Sequence, residues 1–337
     1  MNYRKADAKA ASRAQFRGVW AAVTTPFTPD LGIDEAGLRA NMRHLTRNLK
    51  VDGVFCTGVM GEFWALTKAE RQRVVEIVVE EAHDPANGGH CKVIAHTGHH
   101  CAHETVEQTL HAEAVGADFA ILMTPYYPVA TEAAILDWFG FVADRVEMGI
   151  WLFDTPFSGT PALSPALTAR LADIPNICGA KIARPLAHYV DVKRLCGDKL
   201  VISSPSEGDL LMLMREHGQR VHQSSASPYL LQTATRQPVR DYVELALAGR
   251  FDEAAVVSAT LAPAREVVRR WLIDPFHHHK LIPIAAIKAW SEHLGMAGGP
   301  VRPGLEQLTA EQRGGLRADL ERIGLAGGGN ARRAAAE

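Results

Sequence analysis

Residues 53–97 read GVFCTGVMGEFWALTKAERQRVVEIVVEEAHDPANGGHCKVIAHT. GVFCTG (53–58) and KVIAHT (92–97) are short β-branched runs of strand length, and KAERQRVVEIVVEEA (68–82) between them has helical period. Two strands joined by a helix pair in parallel, because parallel neighbours need a crossover. The same alternation continues on both sides. Further strands are expected at VWAAVTT (19–25), FAILMT (119–124), GIWLFDT (149–155), ICGAKIA (177–183), LVISS (200–204) and RVHQSS (220–225). Eight such units in about 230 residues fit a closed (β/α)8 TIM barrel better than an open doubly wound sheet. No GxGxxG follows the first strand, which removes the main argument for a dinucleotide fold.

Composition agrees with that reading. The 337 residues are 47 % hydrophobic and 22 % charged, as in ordinary globular proteins. A net charge of -2 offers no bulk attraction to nucleic acid or anionic membrane, and no apolar run approaches a membrane span. Five scattered cysteines without a CxxC pair point to reduced thiols in a cytoplasm. The expected organisation is a flexible tail over 1–15, the barrel over 16–240, a helical C-terminal region over 241–326 and a flexible tail over 327–337.

Active sites of such barrels lie at the C-terminal strand ends. There the sixth strand carries Lys181 within NICGAKIARP (176–185), an ammonium in an apolar run. Facing inward, it would be desolvated, and its pKa would fall from ~10.4. A fall of ~3, equivalent to roughly 4 kcal/mol, leaves free amine at neutral pH. A neutral amine in a dry pocket attacks carbonyls to give a Schiff base. Snorkelling to the rim, or pairing with a glutamate such as Glu62, is the structural alternative.

From about Phe16 to Leu325 the chain resembles the dihydrodipicolinate synthase / N-acetylneuraminate lyase family of class I aldolases. GVWAAVTTPFTPDLGIDEAGL resembles that family's first strand and loop, GVMGEFWALTKAER its Gly-x-x-Gly-Glu signature and helix start, TPYYP its Thr-Pro-Tyr-Tyr element, and GAKIA its Schiff-base lysine strand. The resemblance implies that Lys181 forms an imine with a 2-oxo acid and needs no cofactor or metal. It implies substrate contacts from Thr24, Phe153 and the Gly58, Val59, Met60, Gly61 turn, and a homo-oligomer, dimer or tetramer.

Two departures stand out. The family's strand-5 motif, Tyr-Asn-x-Pro, supplies a tyrosine as general acid/base; here FDTP puts Phe153, which has no proton to give, in its place. Val59 and Met60 replace hydroxyl residues of the carboxylate-binding turn, leaving only backbone N–H donors. The synthase branch also carries an arginine shortly after the strand-5 proline, where PFSGT has Phe157 and Ser158. That argues against the lysine-pathway synthase. Tyr127 and His222 are the candidates to move the proton in place of the missing tyrosine, with Lys181 the third catalytic residue.

Asp154, adjacent to Phe153, is expected to face out of the barrel. The histidines of AHTGHHCAH (95–103) and FHHHKL (276–281) are read as solvated loop residues, except His96 at the pocket mouth. Phe63, Trp64 and Met60 make a bulky apolar loop suited to a subunit contact or an aromatic substrate. The leading function is a Schiff-base lyase on a 2-oxo acid, by aldol cleavage, addition or dehydration. The alternatives are a hydratase-aldolase on an aryl-substituted 2-oxo acid, and a catalytically inactive 2-oxo-acid-binding barrel.

Overall fold

The computed structural model describes residues 2–126, 131–158, 162–223 and 226–325. Its eight strands are β1 (Gly18–Ala22), β2 (Gly53–Cys56), β3 (Lys92–His96), β4 (Phe119–Met123), β5 (Ile150–Asp154), β6 (Ile177–Ile182), β7 (Val201–Ser203) and β8 (Val221–Gln223). All pair in parallel in the order β7-β6-β5-β4-β3-β2-β1-β8, with helices in the crossovers, which is the expected (β/α)8 barrel. Local chemistry sets the alternation. After β2, Thr67 caps the helix Lys68–His83 and the Glu70 side chain bonds back to the Thr67 N–H, a capping box that fixes the helix start.

The ring closes between β7 and β8 through side chains. Ser203 Oγ donates to Val221 O and accepts from Gln223 N, at 3.2 and 3.4 Å. The Gln219 amide accepts from Ser204 N and donates to Ser204 O and Val221 O. Buried backbone groups that lack ladder partners are thereby satisfied.

The bottom of the barrel is plugged by aromatic rings. Phe16 lies 4.1 Å from the Trp20 ring on β1 and 4.0 Å from Trp151 on β5. These strands stand on opposite sides of the ring, so Phe16 reaches both only through the interior, and Trp20 and Trp151 face inward. Residues 1–15, expected as a flexible tail, are instead part of this plug from Ala8 onward. The helix Ala8–Gln15 buries Ala8 and Ser12, and Trp151 Nε1 donates to Ser12 Oγ at 3.1 Å. Tyr3 donates to Asp118 O and accepts from Gly149 N. The polar composition of this stretch concealed a one-sided helix whose small residues fit under the barrel.

Beyond β8 the chain is helical: Pro238–Leu247, Phe251–Ala259, Ala262–Val268, Asp274–His279, Ile284–His293 and Ala310–Arg322. The first of these spans position 240 and packs on β1, so the division expected there falls inside a barrel-covering helix. The His277–His279 run, expected in a loop, forms the last turn of Asp274–His279, where histidine suits the negative helix end.

Candidate active site

Lys181 on β6 is in register with Phe153 on β5 and Ser203 on β7. Phe153 lies two residues beyond the inward-facing Trp151, so it faces inward as well, and so does its register partner Lys181. The Lys181 Nζ lies 4.7 Å from the Phe55 ring centroid and 4.8 Å from that of Phe153, and the two rings meet edge to face at 5.7 Å. Only 4 % of the lysine is exposed. Burial drives its pKa down from 10.5 to about 7. Glu62, the acidic partner considered from sequence, is engaged elsewhere: its carboxylate lies 2.6 Å from the Lys288 ammonium. A cavity of about 40 Å³ adjoins the lysine, lined by Ala22, Phe55, Val59, Met60, Phe153, Phe157 and others.

The Gly58–Gly61 segment is a tight turn beside this cavity. Gly61 N donates to Gly58 O and Glu62 N to Val59 O, both at 3.1 Å, while Thr57 and Glu62 take left-handed backbone at φ 51 and 54. The N–H groups of Val59 and Met60 have no partner among the described residues. Position 58 requires glycine, since a Cβ would stand 2.4 Å from the Phe55 ring.

Other expected site residues fare differently. Thr24 lies among Leu38, Asn41 and Tyr229 on the helix side of β1, away from the lysine cavity. Its neighbour Thr25, which sequence reasoning passed over, donates to Gly61 O at 2.9 Å and so supports the turn. Tyr127 lies outside the described residues.

His222 is a correction. In β8, Gln223 is in register with the inward-facing Trp20, and His222 with Val19. Adjacent strand residues face opposite sides, so His222 points into the helical layer and not toward Lys181. Burial lowers its pKa to about 4, opposed by the pull of Glu207 and helped by the charge of Lys181, so the ring is neutral at pH 7. The notion of an imidazole beside the lysine failed because a one-residue choice of face decides everything in a strand this short. The same alternation puts the fully buried Gln223 amide on the barrel side, with neither amide atom hydrogen-bonded among the described residues.

Asp154 does face outward, where it meets Arg184 at 2.7 Å and His188 at 3.3 Å. His96 is buried and holds the turn's entry: its Nδ1 contacts Thr57 O at 3.1 Å under the Phe63 ring, 4.6 Å away. That makes it a core residue, not part of a pocket mouth. Trp64 remains 39 % exposed.

Comparison with known proteins places this geometry. The family model described as the dihydrodipicolinate synthetase family matches residues 15–323. A 4-hydroxy-tetrahydrodipicolinate synthase of Methanothrix thermoacetophila is 32 % identical, over 91 % of this chain and 97 % of its own. Among solved structures, the dihydrodipicolinate synthase of Aquifex aeolicus superposes with TM-score 0.79 at 26 % identity, covering 93 % of this chain and 100 % of its own. YagE, a prophage protein of the dihydrodipicolinic acid synthase family from E. coli K12 solved in complex with pyruvate, gives 0.79 at 26 % identity, covering 92 % and 99 %. By the extent of the family match and by its barrel, the chain belongs to the dihydrodipicolinate synthetase family.

Proposed function

We propose that this protein is a Schiff-base lyase acting on a 2-oxo acid of pyruvate type, with Lys181 as the imine-forming residue and no separate cofactor. The observation that carries the reading is a buried lysine at the barrel centre whose pKa falls to about 7. About half of such a group is free amine at neutral pH. The amine adds to the keto carbon and water leaves as the imine forms. The protonated imine then acts as an electron sink for a bond on the adjacent carbon: that bond breaks, its electron pair forming the C=C of an enamine, or the bond forms in reverse.

The Val59 and Met60 N–H groups, without partners among the described residues, suit the substrate's carboxylate. Phe153 packs on the lysine but donates no proton. With His222 on the other face of β8, proton transfer falls to Tyr127 or to water. The missing phenol, and Phe157 and Ser158 where the synthase branch has arginine, argue for a reaction other than the lysine-pathway synthase, although curated relatives carry that name. Phe55, Phe153, Phe157 and Met60 around the cavity also favour a second reading, hydratase-aldolase action on an aryl-substituted 2-oxo acid.

The exposed Trp64 beside Phe63 suits a homo-oligomer contact, and reduced cysteines suit a cytoplasmic setting. Among the described residues no helix is long and apolar enough to cross a membrane.

Incubation with pyruvate and borohydride tests the reading. A reduced pyruvyl adduct is expected on the Lys181 peptide and is abolished by Lys181→Ala. An adduct on another lysine that survives Lys181→Ala overturns the assignment. Absence of any adduct with several 2-oxo acids favours an inactive binding barrel.

A further inference from the structure

The C-terminal helical region reaches back to the Gly58–Gly61 turn through a fully buried ion pair. Glu62, which ends the Gly58–Gly61 turn, is 0 % exposed, and Lys288 on the helix Ile284–His293 is 1 % exposed. Their charges meet at 2.6 Å. The other Glu62 oxygen accepts the Arg302 backbone N–H at 3.1 Å. Lys288 Nζ also donates to Pro300 O at 2.8 Å and sits 4.1 Å from the Phe27 ring centroid, with the Arg302 guanidinium at 4.4 Å from the same ring. Arg302 in turn donates to Ala65 O at 2.8 Å and forms two bonds to Glu70, so the turn and the segment after it are held from the same side.

A full ion pair at such depth is costly to desolvate, and apolar residues of equal volume would stabilise the fold as well or better. Such a pair is informative for what it fixes. Glu62 sits in left-handed backbone, which a non-glycine residue adopts only under constraint, and its N–H closes the turn on Val59 O. Any displacement of Glu62 therefore moves Val59 and Met60, whose N–H groups lie beside the lysine cavity without a partner among the described residues.

We propose that Lys288 is a positioning residue. Through Glu62 it holds the Val59 and Met60 N–H groups in the geometry that receives a substrate carboxylate, so the C-terminal region sets affinity for the acid group without touching substrate. This rests on the reading that the turn binds the carboxylate of a 2-oxo acid.

The experiment compares pyruvate with pyruvamide, which keeps the keto group but lacks the charge. The readout is the concentration giving half-maximal borohydride-trapped adduct on Lys181. Lys288→Met should raise that concentration for pyruvate about ten-fold, the effect of one lost hydrogen bond to a charged group. Pyruvamide should shift less than about two-fold, and the maximal adduct should be unchanged, while Lys288→Arg should restore most of the pyruvate affinity. Because Lys288→Met strands a buried carboxylate, the double variant Glu62→Gln/Lys288→Met removes both charges together and should show the same selective loss. Equal shifts for the two probes, or none, overturn the proposal. Hydrogen exchange of the unliganded protein supplies a readout independent of imine chemistry: faster exchange confined to residues 57–66 is expected. If the parent protein traps neither probe, the imine reading fails by itself. The positioning proposal is then decided by exchange, upheld by selective loosening of 57–66 and overturned by an unchanged pattern.

Discussion

Replacing Lys181 by methionine should stabilise the protein, in a way that depends on pH with a calculable slope. The lysine is buried with a pKa of about 7 against an ordinary 10.5. Below pH 7 it is protonated in both folded and unfolded chains, and the folded state bears the whole desolvation penalty of about 4–5 kcal/mol. Between pH 7 and 10.5 the unfolded chain binds more protons than the folded one, so stability rises with pH by up to about 1.4 kcal/mol per unit. Above 10.5 both states are neutral and the penalty is gone. Lys181→Met, similar in length and apolar, should therefore gain roughly 4–5 kcal/mol at pH 6. That gain should fall to about 1–2 kcal/mol at pH 9.5 and vanish above pH 10.5. Urea unfolding of parent and variant at pH 6, 8 and 9.5 isolates the lysine, because every other titrating group is common to both. A gain that stays constant across this range, or a loss at pH 6, refutes the picture of a desolvated amine.

Three further outcomes are expected. Phe153→Tyr should leave imine formation intact and speed deuterium exchange at the methyl of bound pyruvate. It should also cost ~1–3 kcal/mol in urea unfolding if the buried hydroxyl finds no partner. His222→Ala should exchange as fast as the parent, since the ring faces the helical layer; a hundred-fold loss would return the histidine to the proton relay. Phe16→Ala should cost about 3–5 kcal/mol in the same unfolding assay, because it empties the plug between Trp20 and Trp151.

The barrel was legible because its evidence repeats: each β-branched run and the amphipathic stretch after it state the same topology again. Lys181 was legible because a cation in an apolar run is chemically conspicuous, and Phe153 because the family resemblance fixes its place beside it. What escaped was information carried by facing and by distance. Nothing in VHQ says which of His222 and Gln223 looks inward; only the register with Trp20 does. In TTP, either threonine could serve the site, and the structure turns Thr25 toward Gly61 and Thr24 toward the helices. The Glu62–Lys288 pair joins positions more than two hundred residues apart, beyond the reach of any local pattern. The N-terminal helix was hidden for another reason: small residues such as Ala8 and Ser12 carry little hydrophobic signal, yet fit closely under a barrel that already has its own aromatic floor.

The replacement of a phenol by Phe153 changes the lysine as well as removing an acid. A hydroxyl at that register position would accept a hydrogen bond from the ammonium and favour the charged form, raising the pKa. A phenyl ring offers only its π face, which favours the cation weakly, while its bulk keeps water away. The balance lies with desolvation, since the pKa stands near 7 despite two rings around the Nζ. In the proposed reading the site thus combines a plentiful free amine with no phenol at position 153, so attack on the keto carbon is favoured while later proton transfers need another donor. Chemistry suited to such a site breaks or makes its bond through the enamine with a proton delivered by solvent, by Tyr127 or by the substrate's own groups. The Phe153→Tyr variant separates these effects in one protein. It should raise the pH at which imine formation is half-maximal and, at the same time, quicken proton exchange at the pyruvate methyl. A hydroxyl that quickens exchange but leaves the pH midpoint where it was would show that Phe153 sets the proton inventory alone, and that Phe55 and the barrel wall hold the lysine pKa down.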